Sequence, residues 1–323
     1  MGDTYSEVKD NNQGVPQGSQ IGPILFLIYM NEIFGRIIEC HIVAYADDLL
    51  LIVGHKDLHV AQEKMQLDFN TLMKWAHDKG LVINAQKTCM MHIFPKNMRF
   101  ETEAKIKCHN CDCLNNVQIR NDCQCENITL VDKCKYLGIT VDSKVTWKEH
   151  VMELKKKLNP CVASMYRIGN KVNAQVKEMV YKSLIESHFR YAIGIWGSTA
   201  TTHMNILRNL QERCIKILMG RQLVANVAAN KYSISGILTP KGLYTYTKII
   251  NHYESKEYKI PVTKNINTRS ATKYKVPVMN TQYGERLAEY LVPYLYNRLP
   301  NNIEEISTYA SFNPLSPTGA IWH

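Results

Sequence analysis

Two adjacent aspartates, Asp47 and Asp48, stand in the tetrapeptide Tyr45-Ala46-Asp47-Asp48 between two short apolar runs, His41 to Tyr45 and Leu49 to Val53. Both runs are β-prone, so the segment reads as a hairpin with the acids at its tip. Neighbouring carboxylates repel one another, and a cation relieves the cost. Mg²⁺ is hard, prefers oxygen, and is typically held by one or two carboxylates plus substrate phosphates. Acids so placed suit metal-assisted phosphoryl transfer. The tetrapeptide alone also fits a solvated Asp-Asp turn. Upstream lies Gly14-Val15-Pro16-Gln17-Gly18-Ser19, then Gly22-Pro23. Its glycines permit close approach of the backbone to another polymer. Gln17 offers an amide for hydrogen bonding, and a helix N-terminus follows.

A second group is soft rather than hard. Cys108, Cys111, Cys113, Cys123 and Cys125 fall within 18 residues, with His109 among them. The Cys108/Cys111 spacing is zinc-like, whereas Cys111/Cys113 and Cys123/Cys125 have one intervening residue and depart from the usual finger or ribbon. Thiolates within reach of one Zn²⁺ ion would fold an excursion that has little apolar content of its own. The competing reading is a surface elaboration with free thiols.

The elements that must position these groups follow from periodicity. Pro23 suits the first turn of a helix running to about Ile38. Val60 to Lys79 is amphipathic, with Ala61, Met65, Leu72 and Ala76 on one side and Gly80 as its stop. Leu81 to Ile83, Cys89 to Phe94 and Lys135 to Val141 read as strands. From Trp147 the period becomes helical. Val151, Leu154, Leu158, Cys161, Met165 and Ile168 mark one helix, with Pro160 a candidate kink. Val176, Val180 and Leu184 mark the next, and Ile206, Leu210, Cys214 and Ile217 a third that closes at Gly220. The front is α+β and the middle α-helical.

Charge divides the chain at nearly the same place. Residues 1–150 hold 16 Lys+Arg and 19 Asp+Glu, whereas residues 151–323 hold 23 and 10. A basic half suits a polyanion such as nucleic acid, or simply a solvated surface. Lys155, Lys156 and Lys157 extend one predicted helix face, with Arg167, Lys171, Lys177, Lys182 and Arg190 after them, and such side chains neutralise backbone phosphates without reading sequence. Hydrophobic residues make up 45% and charged residues 21% of the 323, which is ordinary for a folded chain. The apolar run Ile24 to Met30 is far too short to span a bilayer, and Met1 to Asp10 is polar rather than a signal sequence. The expectation is an intracellular protein without membrane contact, in nucleus or cytoplasm, with its ten cysteines reduced or metal-bound.

Gly14 to Phe26, Tyr45 to Asp48, Gly80-Leu81 with Asn84 and Lys87-Thr88, and Lys135-Tyr136-Leu137-Gly138-Ile139 occur in that order. Together they resemble the palm of a reverse transcriptase from non-LTR (LINE-like, jockey-type) retrotransposons. The resemblance continues through Trp147 and His150, the helices around Tyr181 to Trp196, Leu210 to Gly220, Arg269-Ser270 and Asn297-Arg298-Leu299-Pro300. It implies RNA-directed DNA synthesis from an RNA template and a DNA primer, with dNTPs and Mg²⁺ or Mn²⁺. By the same resemblance Asp47 and Asp48 are the acidic metal pair, Asp47 the principal ligand, and Tyr45 packs beside the primer end. Gln17 and Gly18 meet template and incoming nucleotide, and Lys87 donates a proton to leaving pyrophosphate. Tyr136, Leu137 and Gly138 form the hairpin that grips the primer.

The implied architecture is α+β: a right-hand palm, with an antiparallel sheet and packed helices, over 1–146, carrying a Cys-rich insertion at 105–127. A helical thumb-like region, 147–220, and a basic C-terminal segment, 221–323, would follow. In the family, fingers and an earlier palm strand with another catalytic Asp precede the Gly-Val-Pro-Gln-Gly turn, and 13 residues precede Gly14 here. The expectation is therefore the C-terminal part of such a polymerase, without upstream fingers, first catalytic strand or endonuclease, and inactive as an isolated chain. The alternative is a non-enzymatic nucleic-acid-binding remnant stabilised by zinc.

Overall fold

The computed structural model describes residues 14, 18–94, 104–109, 113, 123, 125–220, 232, 235–255, 275–281 and 283–298. The chain divides into two compact units, Met1–Cys134 and Lys135–His323.

In the first unit, α1 (Gly22–Asn31) starts where the Ser19 hydroxyl accepts the Gly22 N–H at 3.0 Å. It passes into a 3₁₀ turn at Glu32–Gly35, so the helix ends short of the expected Ile38. Two strands follow, β1 (His41–Tyr45) and β2 (Asp48–Ile52), paired antiparallel with Tyr45 opposite Asp48. Period two sorts their side chains. Ile42, Ala44, Leu49 and Leu51 turn to the half-buried side, and Val43 and Tyr45 lie on the exposed one. Helix α2 (Leu58–Asp78) is capped by Asp57, whose carboxylate accepts the His59 N–H at 2.8 Å. Its Phe69, Leu72, Trp75 and Ala76 meet Met30, Ile33 and Ile37 in one core.

Leu81 to Ile83 forms no strand. Gly80 at φ +69 reverses the chain, and the Leu81 and Gly80 N–H groups return to the Ala76 and His77 carbonyls at the end of α2. Those residues are spent on a helix stop. The Cys89 to Phe94 run contracts to β3 (Cys89–Met90), which pairs in parallel with β4 (Thr129–Leu130). Among the described residues the strands form three two-stranded sheets rather than one antiparallel sheet.

The boundary between the units falls within β5 (Lys133–Tyr136), which forms with β6 (Ile139–Asp142) a tight hairpin where the sequence suggests one strand. Leu137 and Gly138, both at positive φ, make the two-residue turn. The Asp142 carboxylate then accepts the Lys144, Thr146 and Trp147 N–H groups and holds a turn with Val145 and Trp147 at positive φ. Helix α3 (Lys148–Ile168) continues through Pro160. The proline leaves the Lys156 carbonyl without its helical donor, on a face exposed to solvent. Against α3 pack α4 (Ala174–Tyr181), a π turn (Lys182–Glu186) and α7 (Thr201–Met219). Short helices α5 (Ser187–Arg190) and α6 (Ile193–Trp196) connect them, α8 (Pro240–Ser255) packs on α6, and α9 (Ala288–Tyr296) packs on α8.

The buried stripe of α3, Val151, Leu154, Leu158, Val162 and Met165, is close to the periodic expectation, with Val162 in place of Cys161. On the following segment the buried residues are Tyr181, Ile185 and Phe189, while Val176 and Leu184 are exposed. The π turn rotates that face by inserting a residue into the helical ladder.

Candidate active site and metal centre

The tip of the β1–β2 hairpin is a two-residue loop, Ala46-Asp47, closed by the Tyr45–Asp48 pair. Ala46 sits at φ +53, a left-handed conformation that costs a residue with a Cβ roughly 1–2 kcal/mol. Asp47 and Asp48 are both exposed, and neither carboxylate has a hydrogen-bond or ion-pair partner among the described residues. Their donor set is hard oxygen, with no cation paired to it among the described residues, which fits Mg²⁺ or Mn²⁺. No third carboxylate joins them among the described residues, where the one close group of metal-ligating side chains lies elsewhere.

What aims this hairpin is a residue to which the sequence motifs assign no role. Asp68, on α2, is 2% exposed. Its carboxylate accepts the Ile38, Glu39 and Cys40 N–H groups at 3.2, 2.8 and 2.6 Å. Those amides immediately precede β1, so a buried anion fixes the strand's point of entry. The signal in the sequence was an acid on the apolar face of an otherwise amphipathic helix.

The other expected residues are distributed as follows. Gln17, with Val15 and Pro16, lies outside the described residues, whereas Gly18 is exposed at φ +84. Tyr45 is 66% exposed on the same side of the hairpin as Asp48. Lys87 is exposed in a turn held by Asn84, whose carbonyl and side-chain oxygen both accept the Lys87 N–H at 3.1 Å. In the second unit the Tyr136-Leu137-Gly138 turn is braced by Tyr191, whose hydroxyl donates to the Leu137 carbonyl at 2.6 Å. Lys155, Lys156 and Lys157 are all exposed on α3. Three consecutive helical residues fan over about 200°, so they cannot share one face as the sequence reading supposed. Lys182 and Arg190 are engaged with Glu178 and Glu186 at 2.6 and 2.5 Å, which removes them from the set of unpaired cations.

The Cys-rich excursion produces a group of its own. The ligand atoms of His109, Cys113, Cys123 and Cys125 all lie within 4.8 Å of one another. Cys108 is not in this group; it packs against the first unit's core. Cys111 lies outside the described residues. Burial lowers the His109 imidazole below the usual histidine range, with Lys107 adding to the effect. A hydrogen bond from the Cys125 backbone draws the Cys123 thiol down, and hydrogen bonding to Cys125 pushes Cys113 up to about 11.

An acidic two-strand tip on a helix-backed hairpin, followed by a braced tight turn and a helical unit, follows the order that the motifs suggest. Residues 3–141 match the family model for reverse transcriptase (RNA-dependent DNA polymerase). Curated relatives extend the similarity beyond those residues. The RNA-directed DNA polymerase from mobile element jockey of Drosophila melanogaster is 27% identical over 225 residues, covering 67% of this chain and 23% of that protein. Its counterpart in Drosophila funebris is 28% identical with the same coverage. The probable RNA-directed DNA polymerase from transposon X-element of Drosophila melanogaster is 23% identical over 217 residues. The chain thus spans less than a quarter of the length of these reverse transcriptase relatives. No solved structure matches. Among the described residues no helix is long and apolar enough to cross a membrane.

Proposed function

We propose that this chain carries the later palm and the thumb of a retrotransposon reverse transcriptase, and that Asp47 and Asp48 are one half of its metal site. The observation that carries the reading is the unpartnered carboxylate pair on a strained hairpin tip, inside the stretch that matches the reverse transcriptase family. Asp47 and Asp48 would hold Mg²⁺ or Mn²⁺, which when bound neutralises charge at the transferring phosphoryl group. By the resemblance, a third carboxylate would come from the family's earlier palm strand. Each arm of the hairpin keeps an outer edge without a partner among the described residues, and such edges accept a further strand.

In the reaction the primer 3′-oxygen attacks the α-phosphorus of a dNTP, the new O–P bond forms, and the bond to pyrophosphate breaks. Tyr45, exposed beside Asp48, supports the primer end. Gln17 and Gly18 meet the template and the nucleotide. Lys87 passes its proton to the departing pyrophosphate oxygen. The Leu137-Gly138 turn holds the primer backbone, and Lys155, Lys156 and Lys157, spread around α3, hold duplex phosphates. Positioning dominates phosphoryl transfer, so Asp47 and Asp48 alone are not expected to sustain it.

The test is primer extension on an RNA template. The chain is assayed alone and joined to the upstream polymerase segment of a jockey-type relative, with Asp47 intact or changed to Asn. Extension by the joined protein that disappears in Asp47→Asn supports the reading. Extension that persists in Asp47→Asn, or a joined protein that binds duplex but never extends a primer, overturns it.

A further inference from the structure

The 105–127 excursion connects β3 to β4, and the polymerase reading assigns it nothing. Its base is a short two-stranded ribbon. Lys107 bridges Asn127, the Cys108 N–H donates to the Glu126 carbonyl, and the Ile128 N–H donates to the Ile106 carbonyl, both at 2.8 Å. In this antiparallel register His109 falls opposite Cys125. The ribbon is rooted in the first unit. Ile106 and Ile128 are 3% and 6% exposed in its core. From α2, the Gln66 side chain accepts the Lys107 N–H at 2.7 Å and donates to the Lys107 carbonyl at 2.9 Å, while Gln62 accepts the Lys105 N–H. Sequence-distant residues are therefore brought to one point by a fixed scaffold.

At that point the Cys113 and Cys125 sulfurs are 3.5 Å apart, and the Cys123 sulfur is 3.3 Å from His109 Nδ1. With Zn–S near 2.3 Å and Zn–N near 2.0 Å, a tetrahedron requires ligand separations of about 3.5–3.8 Å. A disulfide would require the sulfurs at roughly 2.05 Å, well short of the separation between Cys113 and Cys125. Three sulfurs and one imidazole form a soft to borderline donor set, which selects zinc over the hard cations suited to Asp47 and Asp48. The imidazole is buried, 3% exposed, so its orientation is fixed. Lys107 Nζ lies 3.9 Å from the Cys123 sulfur, where its charge offsets that of a tris-thiolate.

We infer that His109, Cys113, Cys123 and Cys125 form a tetrahedral structural zinc site beside the ribbon that pairs Lys107 with Asn127. Cys108, adjacent to His109 in sequence, is excluded from it, because it packs on the core instead. The thiols bind the ion as thiolates, and the protons they lose pass to solvent on loading.

The test uses the full chain, purified under reducing conditions with zinc supplied, and measures metal content by elemental analysis. A cobalt-exchanged sample provides the visible spectrum of tetrahedral thiolate ligation. About one zinc per chain is expected, retained in Cys108→Ser and reduced to near zero in Cys125→Ser. His109→Cys guards against misfolding as the cause of a loss, since it should keep the ion while shifting the cobalt spectrum toward four sulfurs. Chain without metal, a Cys113–Cys125 disulfide in place of the ion, zinc retained in Cys125→Ser, or zinc lost from Cys108→Ser would each overturn the assignment.

Discussion

Replacing Asp68 with Ala should loosen the acidic hairpin without touching it. The carboxylate is buried and accepts three consecutive amides, at 3.2, 2.8 and 2.6 Å. A hydrogen bond to a charged group contributes about 1.5–3 kcal/mol, and the three share one acceptor, so they are not additive. Ile38 is 83% exposed, so water can take over its amide in the variant. Cys40 is buried, and its amide would remain unsatisfied. The two shorter bonds together imply a loss of about 3 kcal/mol, which is about 10²-fold in the opening equilibrium of β1. Asp68→Asn keeps one acceptor oxygen and should lose about half as much. Hydrogen–deuterium exchange of peptides spanning 38–52 reads this locally, with the Trp75 fluorescence as a check that the core of the first unit stays formed. Unchanged protection of β1 in Asp68→Ala, with that core intact, would refute the idea that this carboxylate sets the hairpin's entry.

Two further outcomes concern the second unit. Burial lowers the His150 pKa, with Lys135 acting the same way and Glu153 opposing, while Nδ1 accepts the Thr140 N–H at 3.3 Å. The unfolded chain protonates this residue near pH 6.5 and the folded one resists, so the contribution is complete above about pH 6.5 and falls away below it. Urea midpoints measured between about pH 5 and 7 should therefore drop on the acid side, and less so in His150→Gln; equal slopes for both proteins would count against this. Tyr191→Phe removes the donor to the Leu137 carbonyl and should cost about 1 kcal/mol, seen as faster amide exchange in the 136–139 turn. No change there would mean that the turn holds itself.

The hairpin was legible because its period-two pattern, its two-residue loop and its acidic tip all point the same way. Helix α2 was legible for the same kind of reason, yet its most consequential residue was not. A carboxylate on an apolar face reads as a flaw until the amides it serves, some thirty residues away, are known. Leu81 to Ile83 has strand composition but closes a helix, because Gly80 at positive φ turns the backbone first. Val176, Val180 and Leu184 follow an ideal 3.6-residue period, whereas the segment contains a π turn, so the buried face is Tyr181, Ile185 and Phe189. Among the cysteines, sequence spacing favoured Cys108 over His109. Cross-strand register decides otherwise, since it places His109 opposite Cys125.

If Asp47 binds the reacting metal, its replacement by a softer ligand should change which ion supports the reaction. In the protein joined to a relative's upstream segment, Asp47→Cys replaces a hard oxygen with a thiolate, which binds Mg²⁺ poorly and softer ions well. Primer extension by this variant should be lost with Mg²⁺ and partly restored by Mn²⁺ or Cd²⁺, while the parent works best with Mg²⁺ or Mn²⁺. Full activity of Asp47→Cys in Mg²⁺, or a loss that no softer metal repairs while Asp48→Cys is rescued, would contradict the assignment.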